Sequence, residues 1–265
     1  MSVLANRIAI VTGAAQGLGE GIARRFAQEG AVVVCADLQD ATEVAASLPA
    51  AAGGRRSRSQ RLDVTDKEAV EALIRDTVDQ YGRLDILVNN AGTYHSAEIV
   101  DAPDESFHRQ IAVNTWAIFI TCRAAGRVMR AQRGGRIVNI ASQLGKVARA
   151  GSGIYAASKG AVILMTQALA LELAPYGVTA NSICPGSMLT NLLTDSAGRP
   201  AAQVAAEKGT DVDTAFREYI DQRIPVGRLG RPADVGALAT WLASDDSAFM
   251  TGAAINLTGG EQVFF

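Results

Sequence analysis

The chain has 265 residues, of which 48% are hydrophobic and 20% are charged, a composition typical of a globular protein that buries a sizeable core. Its 25 basic and 27 acidic residues give a net charge of -2, which argues against nucleic acid or an acidic membrane surface as a partner. The three cysteines form no CxxC pair and only two histidines are present, so we expect no metal site. No uninterrupted apolar run approaches the roughly 20 residues of a membrane span, and a cytoplasmic location is the default expectation.

Short runs rich in β-branched residues predict the strands of one sheet. They are Ile8 to Thr12, Val32 to Ala36, Gln60 to Asp63, Ile86 to Asn89, Ile137 to Ala141, Val178 to Cys184 and Ala253 to Leu257. The runs are largely apolar throughout, as expected for parallel strands that are covered on both faces. Helical patterns alternate with them, such as Thr65 to Gly82, where Thr65 and Glu68 form a predicted capping box.

This alternation predicts an α/β protein with a single Rossmann-fold domain over residues 1–265, built on a doubly wound, seven-stranded parallel sheet with helices on both faces. Residues 187–223 do not follow this alternation of strands and helices. They are rich in Ala, Asp, Thr and Gly and follow a strand end at the sheet's carboxyl edge, so we expect a flexible flap over the substrate.

Two predicted helices, Ile111 to Met129 and Tyr155 to Leu173, are apolar nearly all round. A helix on the surface of a domain needs only one apolar stripe. A second apolar face must be covered as well, and a neighbouring copy of the chain is the simplest cover. The pattern therefore predicts a symmetric homo-oligomer.

A glycine motif follows the first predicted strand and opens a helix that runs to Glu29. Residues 12–19 read Thr-Gly-Ala-Ala-Gln-Gly-Leu-Gly, and glycines there let the backbone turn tightly and approach a pyrophosphate. The free N–H groups and the dipole at the helix start favour the same negative charge. The predicted contacts are Gly13, Gln16, Gly17, Leu18 and Gly19, and an ordinary tight turn is the alternative.

The second predicted strand leads to Asp37, whose carboxylate is placed to accept hydrogen bonds from the ribose hydroxyls of an adenosine. A 2′-phosphate would meet a like charge there, and neither Gln16 nor Leu38 offers a cation, so we expect NAD and not NADP as the cofactor. Capping of the following helix is an alternative role for Asp37. The ends of the third and fourth strands supply further predicted cofactor contacts, namely Asp63, Val64, Asn90, Ala91 and Gly92.

The candidate catalytic residues begin with Tyr155 and Lys159, which lie four residues apart at the start of a predicted helix and so share one face. An ammonium near a phenol lowers the phenol's pKa from about 10 toward the working pH and makes it a usable proton acceptor. Ser142, just past the fifth strand, is expected to bind the substrate oxygen, and Asn114 to hold a water that relays protons to Lys159. Taken singly, each has a structural alternative: a buried tyrosine, a surface lysine, a capping serine and a satisfied core asparagine.

Together these residues resemble the short-chain dehydrogenase/reductase family. The resemblance covers nearly the whole chain and rests on the glycine motif, Asn89-Asn90-Ala91-Gly92, Asn114, Ser142, Tyr155-Ala156-Ala157-Ser158-Lys159, and Pro185-Gly186 with Thr190. It implies a catalytic tetrad of Asn114, Ser142, Tyr155 and Lys159, cofactor contacts from Tyr155, Lys159, Pro185, Gly186 and Thr190, and a homotetramer. It also implies hydride transfer between a nicotinamide and an alcohol or carbonyl carbon, with no metal, while Tyr155 moves the hydroxyl proton.

Two segments are similar to those of short-chain polyol dehydrogenases, including the sorbitol and sorbitol-6-phosphate types: the tail Ile255-Asn256-Leu257-Thr258-Gly259-Gly260, followed by Glu261-Gln262-Val263-Phe264-Phe265, and Gly145-Lys146-Val147. The favoured substrate is therefore a sugar alcohol and its ketose. Lys146 and Arg149 are candidates to bind a substrate phosphate, with simple exposure as the alternative. Reduction of a 3-oxoacyl thioester or of a diketone such as acetoin is the competing enzyme reading, and a non-catalytic NAD-sensing protein is a remote one.

Overall fold

The computed structural model describes residues 2–190, 205–206 and 209–263. Its strands are β1 (Ile8–Thr12), β2 (Val32–Asp37), β3 (Arg58–Arg61), β4 (Ile86–Asn89), β5 (Gly135–Ile140), β6 (Val178–Pro185) and β7 (Ala254–Leu257). Its α-helices are α1 (Gly17–Gln28), α2 (Thr42–Ser47), α3 (Lys67–Tyr81), α4 (Asp104–Ile111), α5 (Ala117–Gln132), α6 (Gly153–Leu173), α7 (Val212–Arg223) and α8 (Pro232–Ala243). The predicted flap lies largely outside the described residues, which contain only its first residues, its α7 part and two short pieces before α7.

The strands form one seven-stranded parallel sheet in the order β3-β2-β1-β4-β5-β6-β7. The chain winds outward from β1 to β3 and then returns to β4 on the other side of β1. This reversal opens a crevice at the carboxyl ends of β1 and β4, which is where doubly wound sheets bind their ligands. The predicted fold class is thereby confirmed.

Neighbouring residues of each strand serve opposite faces of the sheet. Val33 packs with Phe26 of α1 and Val235 of α8, whereas Val34 packs with Leu73 of α3 and with residues of α5 and α6. Since successive strand side chains alternate in direction, an apolar run such as Val32–Val34 supplies both faces at once. The two layers of helices explain why β1, β2 and β4 consist almost entirely of apolar residues.

Two local predictions were wrong. The third strand covers Arg58–Arg61 and not Gln60 to Asp63, because it pairs with β2 from Val34 onward at the sheet's edge, where a polar strand is tolerated. The predicted capping box of Thr65 and Glu68 is also absent. Asp66 caps α3 instead by accepting a hydrogen bond from the Ala69 N–H (3.0 Å), since Thr65 is held back by Asp63.

The two helices predicted to be apolar nearly all round do leave large apolar side chains uncovered. Trp116 and Phe119 at the start of α5, and Leu164 and Leu171 on α6, are all more than a third exposed. By length and composition alone, α6 with the turn after it could also cross a membrane. A helix that packs against a sheet meets the same criterion, and α6 buries Lys159 and a stripe of side chains against the sheet.

Candidate active site

The glycine motif closes tightly between β1 and α1. Gly13 and Gly17 adopt φ values of +66° and +61°, which are strained for any residue with a side chain. A Cβ at Gly19 would collide with the Gly13 carbonyl oxygen and lie 2.5 Å from Asn90 Nδ2. Gln16 is the residue before α1, and Leu18 lies partly buried in its first turn. The motif thus brings bare backbone and a helix start to the crevice, as cofactor binding requires.

The end of β4 fastens this loop. The Asn90 side-chain amide donates to the carbonyl oxygens of Thr12 and Gly13, both at 3.0 Å. The Thr12 hydroxyl in turn accepts hydrogen bonds from the backbone N–H groups of Asn90 (3.0 Å) and Ala91 (3.2 Å). The predicted cofactor contact Asn90 therefore has its amide directed at the glycine loop, where it holds the loop in shape.

Asp37 lies at the end of β2, directly beside the glycine loop. Its carboxylate accepts hydrogen bonds from the backbone N–H groups of Ala15 and Gln39, both at 2.9 Å. The alternative role of capping the next helix is wrong, because α2 begins at Thr42 and its backbone N–H is bound by Asp40. Asp37 thus joins the loop that would hold the pyrophosphate to the strand end that would hold the ribose.

Asp63 and Val64 follow the end of β3, and their place beside an adenine stays a prediction. The Asp63 carboxylate accepts from the backbone N–H (2.8 Å) and the hydroxyl (2.7 Å) of Thr65, so its side chain stabilises a turn. Val64 is buried and borders a narrow recess together with Ala91. Of this pair, Val64 faces the interior of the crevice.

The predicted catalytic side chains meet at the carboxyl ends of β4 and β5. Tyr155 and Lys159 come from the first turns of α6, and the Lys159 ammonium lies 5.9 Å from the centre of the Tyr155 ring. Ser142 follows β5 and is a hydrogen-bond partner of the Tyr155 hydroxyl. The Lys159 ammonium donates to the Ile140 carbonyl oxygen at 2.8 Å. The end of β5 and the first turns of α6 therefore bring Ser142, Tyr155 and Lys159 into one connected group.

Asn114 approaches this group from a π-helical turn, Ala112–Trp116, which separates α4 from α5. Its amide donates to the Thr93 carbonyl oxygen (2.9 Å) and to Ser158 Oγ (3.1 Å), while its oxygen accepts from the Thr93 N–H (2.9 Å). A Cβ at Gly92 would lie 3.3 Å from Asn114 Oδ1 and 3.5 Å from Lys159 Nζ. The bare backbone of Gly92 is what lets the two polar groups face one another.

Burial controls the acidity of the central pair. It raises the pKa of Tyr155 to about 12, against the opposing effect of the hydrogen bond with Ser142. It lowers the pKa of Lys159 to about 8. In this structure the loss of hydration is the largest influence on the Tyr155 pKa, and a lowering of that pKa by Lys159 stays a prediction.

The opposite wall of the crevice is formed by the end of β6. The Gly186 N–H donates to the Leu257 carbonyl oxygen (3.0 Å), which ties the Pro185-Gly186 turn to β7. A Cβ built on Gly17 would lie 3.7 Å from the Thr190 methyl group. The structure thus brings Thr190 to the glycine loop across the crevice.

Several polar residues near this crevice were missed by the sequence analysis. Glu261 accepts hydrogen bonds from the Ser187 N–H (2.8 Å), the Ser187 hydroxyl (3.0 Å) and the Tyr219 hydroxyl (2.9 Å). Tyr94 packs edge-on against the Tyr155 ring, with 5.0 Å between ring centres, and its hydroxyl lies 3.0 Å from Ser152 Oγ. No local pattern marks these residues, since their hydrogen-bond partners are 42 to 74 positions away in the chain.

Next to Ser142 the structure has a cleft of about 220 Å³, referred to below as the polar cleft. It is lined by Gln143, Leu144, Arg149, Gln222, Arg223, Glu261 and Gln262. The prediction that Lys146 meets a substrate phosphate was wrong, because its ammonium donates to the Ala254 carbonyl oxygen and to Asn256 Oδ1, both at 2.6 Å. Arg149 does border the polar cleft.

Comparisons with known proteins agree with this geometry. The family model described as enoyl-(acyl carrier protein) reductase matches residues 13–262. A solved short-chain type dehydrogenase/reductase from Mycobacterium marinum is 32% identical, covers 98% of this chain and 97% of its own, and superposes with a TM-score of 0.84. This chain belongs to the short-chain dehydrogenase/reductase family.

Relatives within the short-chain dehydrogenase/reductase family give the reaction class. The chain is 37% identical to the D-beta-hydroxybutyrate dehydrogenase of Cupriavidus necator and 35% identical to the galactitol 2-dehydrogenase of Agrobacterium fabrum. Each match covers 97% of this chain and 98% of the relative. The chain is an oxidoreductase that acts on alcohols with a nicotinamide cofactor, NAD or NADP. The predicted family and reaction class are thus confirmed.

Proposed function

We propose that this short-chain dehydrogenase/reductase oxidises a secondary alcohol with NAD, and that Tyr155 moves the hydroxyl proton. The observation that carries the proposal is the connected group of Ser142, Tyr155 and Lys159 beside Gly92, at the edge of the sheet where a cofactor and a substrate can both enter. Ser142 would bind the reacting oxygen. Asn114 would hold the Thr93 segment and the base of α6 in place around Lys159.

The residues of the crevice fit a dinucleotide. Gly13 and Gly19 allow the loop to pack closely where a side chain would collide, and Asp37 presents a carboxylate to a ribose at the end of β2. A negative charge at that point favours NAD over NADP, since a 2′-phosphate would be repelled. When bound, the nicotinamide supplies or accepts the hydride of the alcohol–carbonyl interconversion.

Proton movement follows from the acidity of the two central groups. With its pKa at about 12, Tyr155 is protonated at neutral pH and is ready to donate to a carbonyl oxygen in the direction of reduction. In the direction of oxidation it must become a phenolate. The Lys159 ammonium lies 5.9 Å from the centre of the Tyr155 ring and favours the phenolate. Because the pKa of Lys159 is lowered to about 8, this lysine is positively charged below about pH 8.

A sugar alcohol is the substrate class we favour. The relatives include proteins named galactitol 2-dehydrogenase, L-fucose dehydrogenase and NAD-dependent glycerol dehydrogenase. The polar cleft beside Ser142 is lined mainly by amides and charged groups, which suits a hydroxylated molecule. A thioester substrate is the second candidate, because one relative is named a succinyl-CoA dehydrogenase subunit and the family model bears an acyl-carrier name. The small volume of the polar cleft favours the sugar alcohol.

We further propose that the chain works as a homotetramer. Phe119 of α5 and Leu164 and Leu171 of α6 are 42%, 67% and 79% exposed, and Trp116, just before α5, is exposed as well. Surfaces of this kind mark contacts with another protein, and a second copy of the chain presents a matching surface.

The experiment that tests the proposed function is a screen of polyols, diols and simple secondary alcohols with NAD and NADP, run on the wild type and on Tyr155→Phe. We expect turnover of at least one alcohol with NAD, and a loss of about 100-fold or more in Tyr155→Phe with unchanged NAD affinity. Tyr81→Phe is the matched control, since the Tyr81 hydroxyl at the end of α3 has no hydrogen-bond partner. Normal turnover by Tyr155→Phe would refute the role of the phenol.

A further inference from the structure

Gln143, the residue after Ser142, contains a buried polar atom that nothing in the protein satisfies. The residue is 5% exposed, its side chain borders the polar cleft, and its Oε1 has no hydrogen-bond partner. Native proteins pair nearly all buried polar groups, so an unpaired one that borders a cleft points to a ligand.

The chemistry of the missing partner is narrow. An anionic carboxylate or phosphate has only acceptor oxygens and would be repelled by Gln143 Oε1, whereas a hydroxyl can donate to an oxygen and accept from an N–H. The polar cleft is lined by one carboxylate, from Glu261, and by two guanidinium groups, from Arg149 and Arg223, so the choice of ligand rests on the acceptor Oε1 of Gln143 and not on the charges of the cleft. A neutral hydroxyl is therefore the group that satisfies Gln143.

The position of Gln143 places that hydroxyl next to the reacting carbon. Ser142 is the hydrogen-bond partner of Tyr155, and Gln143 is its immediate neighbour at the start of the short turn after β5. A substrate whose reacting oxygen lies against Ser142 therefore extends into the polar cleft past Gln143. At about 220 Å³ the polar cleft has room for a small molecule, since pockets for drug-sized ligands span about 300–1,000 Å³.

We propose that Gln143 is a specificity-determining residue that binds a second hydroxyl of a polyhydroxylated substrate. The inference rests on the proposed function, because it needs Ser142 and Tyr155 to hold the reacting oxygen. A site built to bind a hydroxyl discriminates strongly against an analogue that lacks it, since the buried group is then left unpaired. Gln143 would thus separate polyols and diols from simple secondary alcohols.

The test compares 2,3-butanediol with 2-butanol, which differ by one hydroxyl, as substrates of the wild type and of Gln143→Leu. We expect the wild type to prefer the diol. In Gln143→Leu the kcat/KM for the diol should fall by about 10- to 100-fold, mainly through KM, while that for 2-butanol stays within about twofold. The melting temperature of Gln143→Leu should equal or exceed that of the wild type, because an unpaired buried polar group has been removed.

Gln80→Leu, on an exposed face of α3, makes the same replacement away from the site and should leave both substrates unaffected. Equal losses for both alcohols in Gln143→Leu, or no loss for either, would overturn the role of Gln143 and leave the proposed function standing. A wild type that prefers 2-butanol would do the same. A wild type that oxidises no alcohol of any class would overturn both.

Discussion

The carboxylate of Asp37 is expected to decide between the two nicotinamide dinucleotides, and Asp37→Asn removes its charge while keeping its shape. In the structure the two carboxylate oxygens accept one backbone N–H each, from Ala15 and from Gln39. An asparagine has one acceptor oxygen, so one of these bonds is lost and the glycine loop is held less firmly. Hydrogen bonds to charged groups contribute about 1.5–3 kcal/mol, and partial exposure of Asp37 places its bond at the lower end.

The larger effect of Asp37→Asn is on NADP. Two unit charges about 4 Å apart repel by about 1 kcal/mol in water and by about 4 kcal/mol at an effective dielectric constant of about 20. A 2′-phosphate carries about -1.5 to -2 charges, and screening reduces the repulsion at a partly exposed site. Losing a repulsion of about 1–3 kcal/mol corresponds to a shift of roughly 5- to 150-fold in the NADP to NAD ratio of kcat/KM.

The assay measures kcat/KM for both dinucleotides at one saturating alcohol, at low and at high salt. NAD should become a weaker substrate by several-fold and NADP a better one, and the shift should shrink as salt is added. Asp40→Asn is the matched control. It removes the same charge from the same loop, and its amide oxygen can still accept from the Thr42 N–H, so it should leave the ratio nearly unchanged. An unaltered NADP to NAD ratio of kcat/KM in Asp37→Asn would refute the role of Asp37 in cofactor choice.

Three further predictions concern the loop, the buried lysine and the apolar surface. Gly19→Ala should lower the free energy of unfolding by about 2–3 kcal/mol in chemical denaturation, because its Cβ collides with the Gly13 carbonyl group; a loss under 0.5 kcal/mol, on the order of a surface change, would contradict the close packing. Lys159 has a lowered pKa of about 8, so its burial destabilises the fold fully below pH 8 and less as the pH rises toward the unfolded value of about 10.4. Between pH 8 and 10 the wild type should therefore gain about 2 kcal/mol relative to Lys159→Met, and parallel pH curves would contradict it. Leu164→Glu combined with Leu171→Glu should yield smaller assemblies in sedimentation. Unchanged assemblies would contradict the place of α6 in the interface between subunits.

Much of the fold could be predicted because its signals are local. Apolar runs such as Val32–Val34 identify inner strands, and Gly82 with its φ of +81° ends α3 as its position predicts. The edge strand β3 was misplaced because its residues are polar and its limits are set by pairing with β2. The limits of a strand cannot be predicted from a short sequence motif when pairing with a neighbouring strand sets them.

The candidate site divides in the same way. The residues Tyr155, Lys159 and Ser142 could be picked out because they sit at a helix start and a strand end, which are visible in the sequence. The acidity of Tyr155 could not, since the balance between burial and a nearby ammonium depends on depth and distance. Glu261 could not either, because its partners come from the end of β6 and from α7.

The three hydrogen bonds of Glu261 join segments that are far apart in the chain. One carboxylate fixes Ser187 at the exit of β6, Tyr219 on α7 and the tail that carries it, and it also borders the polar cleft. Part of the lining of the polar cleft therefore comes from segments that carry none of the predicted proton-transfer residues. In a protein of this architecture, substitutions in the tail and in the outer helix can change the substrate while the catalytic residues and the reaction are kept.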